Sequence, residues 1–171
     1  MRSLPFRFAF AAVLLFANGP SQAQQSTSAT YNDWVVRCQK DAGASKKSCV
    51  MDQVTQVKGK NEAFSRIAVA APVSGRPINL EVQLPVNVLL RTPLVIRTDD
   101  ADAGFSAPFD HCVPAGCFAE FDVKDEIVKK LRAAEGVGKA TFKDSTGHDV
   151  AVPVSFKGFR EAFDALGKAD E

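Results

Sequence analysis

Three observations in the sequence predict an all-β fold, an antiparallel β-sandwich closed by disulfides. Ile78–Leu84 alternates four apolar with three polar residues, as a strand does when one of its faces lies on a core. Short β segments follow one another with turns between them, instead of alternating with helices. Two of the four cysteines flank a tight turn.

Strands precede helices along most of the chain. Short segments rich in apolar residues and bounded by turn residues predict strands at residues 34–38, 48–54, 64–70, Ile78–Leu84, 86–90, 93–98, 139–144 and 148–154. A single domain over residues 31–168 accommodates all of them, because a chain of this length can bury a substantial core.

Two short helices are predicted near the end. Residues 125–134 begin with acidic residues, place apolar residues on one face and are followed by Gly136. Residues 158–166 form the second amphipathic pattern, in which Phe159 and Phe163 should pack on the sheet. The alternative is that Phe159 and Phe163 form an exposed aromatic surface for a partner.

The turn between Cys112 and Cys117 predicts a disulfide-closed hairpin. Its second residue is Pro114 and its fourth is Gly116, the placement that a type I turn favours. Cysteines that face each other across antiparallel strands have Cα atoms about 4.5 to 5.5 Å apart, within reach of a disulfide.

Cys38 and Cys49 flank a polar loop between two predicted strands and form the second candidate pair. Four cysteines allow three connectivities. We favour the two local pairs because each needs only hairpin geometry. A crossed pair such as Cys38 with Cys112 would require distant strands to meet.

A redox function of Cys112 and Cys117 is the main alternative to a structural role. Thioredoxin-type enzymes carry Cys-x-x-Cys at a helix N-terminus, where the dipole lowers a thiol pKa. The spacing here is Cys-x4-Cys across a turn. His111 precedes Cys112 directly, and neighbours in a strand point to opposite faces, so this pair is not expected to act as a nucleophile and base.

Residues 1–23 have the composition of a secretory signal peptide. Arg2 and Arg7 precede a short apolar run, and cleavage is expected after Ala23. The run is too short to span a bilayer, so we expect no transmembrane anchor after cleavage. Residues 24–30 are small or polar and should form a flexible leader. The expected location is periplasmic or secreted, where disulfides form.

The charge of the chain gives no support for binding nucleic acid. Its formal charge is +1, and removal of Arg2 and Arg7 with the signal peptide lowers it by two. No basic run is longer than two residues. We therefore expect no nucleic-acid partner.

Two motifs suggest chemistry but lack parts that the chemistry requires. The acidic turn at residues 99–104 resembles the start of a calcium loop, yet it lacks the closing glutamate, so a solvated turn is expected. Ser145, His148 and Asp149 are the residue types of a hydrolase triad, but they crowd into one turn without a nucleophile elbow. We expect no catalytic residue, cofactor or metal site.

An ordered set of motifs along nearly the whole mature chain resembles the invasion-associated locus B family. The set comprises Trp34-x3-Cys38, Cys49-x-Met51-x-Gln53, Leu84-Pro85, Ile96-Arg97-Thr98-Asp99, Phe109-x2-Cys112-x3-Gly116-Cys117-x-Ala119 and Pro153-x2-Phe156-x-Gly158-Phe159-x3-Phe163-x2-Leu166. Val86 departs from the pattern, since many members carry glycine after the Leu-Pro step.

The resemblance implies an immunoglobulin-like β-sandwich exported by alpha-proteobacteria. In pathogenic members it implies a role in invasion of host cells, including erythrocytes, and it brings no catalytic residues. We therefore expect a non-enzymatic binding or envelope-accessory factor whose partner is an unknown protein or envelope component. The alternatives are a periplasmic thiol-disulfide redox protein using Cys112 and Cys117, and a carrier of a small ligand between the sheets.

Overall fold

The computed structural model describes residues 25–57, 59, 63–70 and 77–168. The predicted signal peptide, residues 1–23, lies outside this described part. In chain order the strands are β1 (Gln25–Tyr31), β2 (Trp34–Lys40), β3 (Ser48–Gln56), β4 (Ala63–Ala70), β5 (Ile78–Leu84), β6 (Leu94–Arg97), β7 (Phe105–Ala107), β8 (Phe109–Val113), β9 (Gly116–Val123), β10 (Val137–Lys143) and β11 (Asp149–Ser155). Helix α1 (Asp125–Ala133) follows β9, and α2 (Phe159–Lys168) follows β11.

The strands form two antiparallel sheets, so the predicted fold class is confirmed. The larger sheet has the order β1-β2-β3-β4-β5-β9-β8, and the smaller has the order β11-β10-β6-β7. Most neighbours in the larger sheet are consecutive hairpins. The smaller sheet pairs β6 with β10, which follows it only after β7, β8, β9 and α1, so the chain passes through the larger sheet before the smaller one is completed.

The core consists of the inward-facing residues of both sheets. On β5 the alternation puts Leu80, Val82 and Leu84 inside, as the sequence predicts. Leu94 and Ile96 of β6 lie buried in the same cluster. Complete burial of one such side chain contributes about 1.5 to 3 kcal/mol, so these alternating positions are the main source of stability.

Trp34 joins the two sheets and α2. Its ring lies perpendicular to that of Phe159, with centroids 5.0 Å apart, and its Nε1 donates a hydrogen bond to the Ser155 carbonyl at 2.8 Å. Gln53 completes the connection, because its Nε2 donates to that carbonyl at 3.0 Å and its Oε1 accepts from the Ser155 N–H at 2.9 Å. Strands β2 and β3 are thereby attached to the end of β11.

The prediction of a flexible leader at residues 24–30 is wrong for the residues that the structure describes. Strand β1 pairs with the whole of β2, from Gln25 opposite Lys40 to Tyr31 opposite Trp34. Residues 26–30 are exposed, so this strand has no alternating apolar pattern by which the sequence could predict it. It is held in the sheet by its backbone hydrogen bonds to β2. The missed signal is the two-residue turn Asn32-Asp33, in which Asn32 takes a φ of 50°.

Two further differences concern short segments. Residues 86–90 were expected to form a strand, but the segment is irregular because Pro85 ends β5 and Val88 turns into the core. The Leu89 N–H donates instead to the Lys143 carbonyl at 2.8 Å. The three-residue strand β7 was not predicted, since so short an edge strand carries almost no pattern.

Candidate functional site

Both disulfides link residues that face each other directly across a hairpin. Cys38 pairs with Cys49 between β2 and β3, with Cα atoms 4.1 Å apart. Cys112 pairs with Cys117 between β8 and β9, with Cα atoms 4.0 Å apart. The connectivity is thus the local one that hairpin geometry favours. Each bridge crosses two strands of the larger sheet and holds their register.

The hairpin β8–β9 is also fixed to β5. The Gln83 Nε2 donates a hydrogen bond to the Ala115 carbonyl at 2.9 Å, at the tip of the turn. Gly116 lies so close to β5 that a Cβ added there would be 2.5 Å from the Leu84 carbonyl oxygen. This close approach explains why position 116 is a glycine. Packed against β5 in this way, the turn forms a rigid wall at the end of the sheet.

The wall borders an open groove of about 340 Å³ at the end of the larger sheet. We call it the end groove, and its apolar lining comes from Val54, Phe64, Pro85, Val86 and Pro114. Val54 and Val86 are exposed, so the groove offers apolar surface to solvent at the end of three neighbouring strands and the disulfide-closed turn.

A row of alternating charges crosses the outer face of the larger sheet beside the end groove. This charged ladder consists of Arg37, Asp52, Arg66 and Glu81, from neighbouring strands β2 to β5. Asp52 forms ion pairs with Arg37 and, at 2.8 Å, with Arg66, and Arg66 reaches Glu81 at 3.5 Å. Although Asp52 points away from the core, its side chain is only 4% exposed because the two arginines cover it. Arg66 enters the lining of the groove with its charge already balanced.

The positions of Cys112 and Cys117 bear on the redox alternative. Both lie on strands, and neither begins a helix, so no helix dipole is available to lower a thiol pKa. Cys117 is buried in the core while Cys112 is exposed. The structure places them as a link between the edge strand and the core.

The acidic turn at residues 99–104 is not a solvated loop throughout, which corrects the sequence-based expectation. The Asp102 side chain is only 6% exposed and pairs with Lys130 of α1. Its carboxylate also accepts hydrogen bonds from the Thr98 N–H and Oγ1 at 2.9 Å and from the Gly104 N–H at 2.8 Å. Burial raises the pKa of Asp102, but the hydrogen bonds from Lys130, Thr98 and Gly104 outweigh it and hold the pKa well below its usual value. Asp102 therefore attaches α1 to the smaller sheet.

We predict that Asp102→Asn lowers the free energy of unfolding at pH 7, because charge-assisted hydrogen bonds are lost. The expected loss is about 1–3 kcal/mol, since solvent screens the ion pair with the partly exposed Lys130. A carboxyl whose folded-state pKa is depressed stabilises the fold above its unfolded-state pKa, about 3.9, and that contribution disappears as the pH falls further. The deficit should therefore shrink in urea unfolding at pH 3. Asp100→Asn is the matched control and should have little effect, since Asp100 is exposed and its ion-pair partner among the described residues is Lys139. Equal deficits at both pH values would contradict the assignment.

The residues of the hypothetical triad do not converge. The Ser145 hydroxyl donates to Asn87, and His148 Nδ1 contacts the Thr146 hydroxyl at 2.8 Å. Asp149 instead accepts a hydrogen bond from Lys143 at 2.9 Å. The three side chains therefore have three different partners and do not bind one another.

The proposed aromatic surface on α2 is wrong for Phe159. This ring is 2% exposed, because it packs against Trp34 inside the core. Phe163 is half-buried, with its ring stacked 6.0 Å from Phe159 and the Arg132 guanidinium 5.5 Å above it. Both aromatic residues attach α2 to the fold, which is the packing role that the amphipathic pattern predicts first.

Comparison with known families gives a match over most of the described sandwich. The model for the family described as invasion associated locus B (IalB) protein matches residues 34–167. The chain belongs to this family. The match includes all four cysteines, as the motifs in the sequence indicate.

Similar proteins come from Brucella abortus and Bartonella henselae. Invasion protein B homologs from two Brucella abortus strains, 2308 and 9-941, are each 29% identical over 160 residues, covering 92% of this chain and 86% of the relative. A crystal structure of invasion associated protein b from Bartonella henselae has a TM-score of 0.70 at 24% identity, covering 82% of this chain and 95% of that one. This structural likeness shows that the fold is shared.

Sequence reasoning missed the charged ladder, the end groove and the role of Asp102. Each of these three features depends on residues from separate strands or helices. The strand register and packing that bring those residues together cannot be predicted from a local sequence pattern. The alternation of strand β3 could have located Asp52 on the outer face, but the arginines that cover it come from β2 and β4.

Proposed function

We propose that this locus B family protein is an exported, non-enzymatic binding protein that recognises another protein through the end groove. The observation that carries the proposal is the groove itself, an apolar surface exposed to solvent and walled by a disulfide-closed turn. Rigid walls favour binding because little conformational entropy is lost when the partner docks.

The charges around the groove favour an apolar, uncharged segment as its occupant. Arg66 is the charged residue in the lining, and Asp52 and Glu81 already balance it. An acidic peptide would have to compete with these carboxylates, whereas apolar side chains would gain contact with Val86 and Phe64. The occupant we propose is an apolar segment of a host-cell or envelope protein.

Export is supported by the signal-peptide pattern and by the disulfides. Disulfides persist in the periplasm or outside the cell, whereas the cytoplasm keeps thiols reduced. In the described part of the chain, no helix is long and apolar enough to cross a membrane. We place the mature protein in the periplasm or outside the cell.

A role in invasion of host cells is suggested by the names of the relatives from Brucella and Bartonella. For this chain we propose the same role where its organism contacts host cells. A bacterium that never contacts host cells would use the protein as an accessory factor of its envelope.

The test uses two exposed valines in different parts of the fold. Val86 in the end groove is 61% exposed, and Val137 at the start of β10 is 59% exposed, so Val137 is the matched control. A photoreactive residue at position 86 should form one stoichiometric cross-linked complex in intact cells, and the same residue at 137 should not. Val86→Asp should weaken the complex cross-linked from another groove position, such as 114, while Val137→Asp leaves it unchanged.

Two results would count against this function. Identical cross-linking patterns from positions 86 and 137 would exclude the end groove as the binding surface. A thiol-disulfide turnover that disappears in Cys112→Ser would support the redox alternative instead.

A further inference from the structure

Asp110 and His111 share a side of the edge strand β8, although neighbours in a regular strand point to opposite faces. The reason is a β-bulge. Phe109 lies opposite Ala119 and His111 lies opposite Phe118, so Asp110 is an extra residue without a partner. The bulge turns the Asp110 carboxylate towards the imidazole, and Oδ2 lies 2.8 Å from His111 Nδ1.

The His111 ring is held in place by stacking. It lies against the Phe118 ring on the neighbouring strand, with centroids 4.9 Å apart and an angle of 11° between the planes. Stacking limits the ring to few orientations, which reduces the entropy lost when a nitrogen binds a ligand. The bulge and the stacking together fix a nitrogen donor beside a carboxylate on the exposed face of the hairpin.

Glu120 adds a second carboxylate with an uncompensated charge. It lies two residues beyond Phe118 on the same face of β9, directly opposite Glu81 of β5. Like charges that face each other across strands are destabilising. Glu81 has Arg66 as a partner, but within the described residues Glu120 forms neither an ion pair nor a hydrogen bond.

From this geometry we propose a metal site formed by Asp110, His111 and Glu120, which we call the edge triad. One ligand atom from each residue lies within 4.8 Å of the other two. Ligands of a tetrahedral Zn²⁺ at about 2.0–2.2 Å lie about 3.4 Å from one another, so small rotations of these surface side chains bring them into range. A bound cation would neutralise Glu120 and relieve its repulsion from Glu81.

The donor set selects the class of metal. One imidazole nitrogen and two carboxylate oxygens suit a late first-row divalent cation such as Zn²⁺, with water in the fourth position. Calcium takes six to eight oxygen ligands, which this triad does not provide. The site is separate from the end groove, so it does not depend on the function proposed above.

The test is titration of the purified protein, with both disulfides formed, by Zn²⁺ in a calorimeter. We expect one saturable equivalent. His111→Ala and Glu120→Gln should each weaken binding at least about tenfold, since even residues that only support metal ligands contribute that much. The chain has two histidines, so His148→Ala is the matched control and should bind Zn²⁺ like the unaltered protein.

Glu120→Gln preserves side-chain shape, so it reports on ligation even if His111→Ala disturbs the stacking on Phe118. In NMR spectra, Zn²⁺ should shift the ring signals of His111 and leave those of His148 in place. Absence of saturable binding overturns the proposal, as does an equal loss of affinity in His148→Ala. Displacement of Zn²⁺ by an equal concentration of Ca²⁺ would overturn the assigned donor set.

Discussion

Replacing all four cysteines with alanine is expected to lower the free energy of unfolding by about 5 kcal/mol. The bridges join residues 11 and 5 positions apart in the sequence. The loop-entropy relation gives about 2.8 kcal/mol for the longer loop and about 2.2 kcal/mol for the shorter one. A domain of this size has a total stability of roughly 5–15 kcal/mol, so the variant should lose between about a third and all of it.

Urea unfolding followed by the fluorescence of Trp34, the single tryptophan, measures this loss. The two variants that lack one bridge each serve as internal controls. Their losses should add, because the bridges lie at different hairpins and share no strand. A loss below about 1 kcal/mol for the variant without any cysteine would show that turns and sheet pairing alone determine both hairpins.

The pairing of the cysteines was accessible from sequence because each pair lies within one hairpin. The turn around Pro114 and Gly116 defines its own register, and that register alone decides which sulfur atoms meet. Strand β5 was accessible for a similar reason, since its alternation spans the whole strand. Local pattern and final structure agree where neighbouring residues supply all the necessary information.

Other features depend on information that no local pattern contains. Strand β1 has almost no apolar residues, so only its pairing with β2 reveals it. The amphipathic pattern predicts that Phe159 packs on the sheet, but its contact with Trp34, more than a hundred residues earlier, appears only in the structure. Asp102 lies in a stretch typical of solvated turns, and its partner Lys130 comes from a helix formed later in the chain.

The edge triad illustrates the same limit within a single hairpin. Regular strand geometry places Asp110 and His111 on opposite faces, which argues against their acting together. One extra residue in β8 reverses that conclusion. Bulges of this kind have no reliable sequence signature here, so the triad becomes visible only in the three-dimensional structure.

The contact between β1 and the start of α2 predicts a second large effect. Gly158→Ala should lower the free energy of unfolding by about 2–5 kcal/mol. Gly158 has a φ of +84°, where a Cβ costs about 1–2 kcal/mol. The added Cβ would also overlap the Tyr31 carbonyl oxygen and lie 2.6 Å from its carbon. Because these are backbone atoms, no side-chain rotation relieves the clash, and such overpacking costs about 1–3 kcal/mol more.

Gly136→Ala separates the clash from the backbone strain. Gly136 has a φ of +75° and open space around its Cα, so this variant should lose only about 1–2 kcal/mol. Urea unfolding of both variants gives the difference, which measures how firmly the end of β1 rests on the start of α2. If residues 25–31 formed a mobile leader in solution, Tyr31 would move aside and the two variants would be equally stable. A larger loss in Gly158→Ala is therefore the result expected of a strand that belongs to the folded sheet.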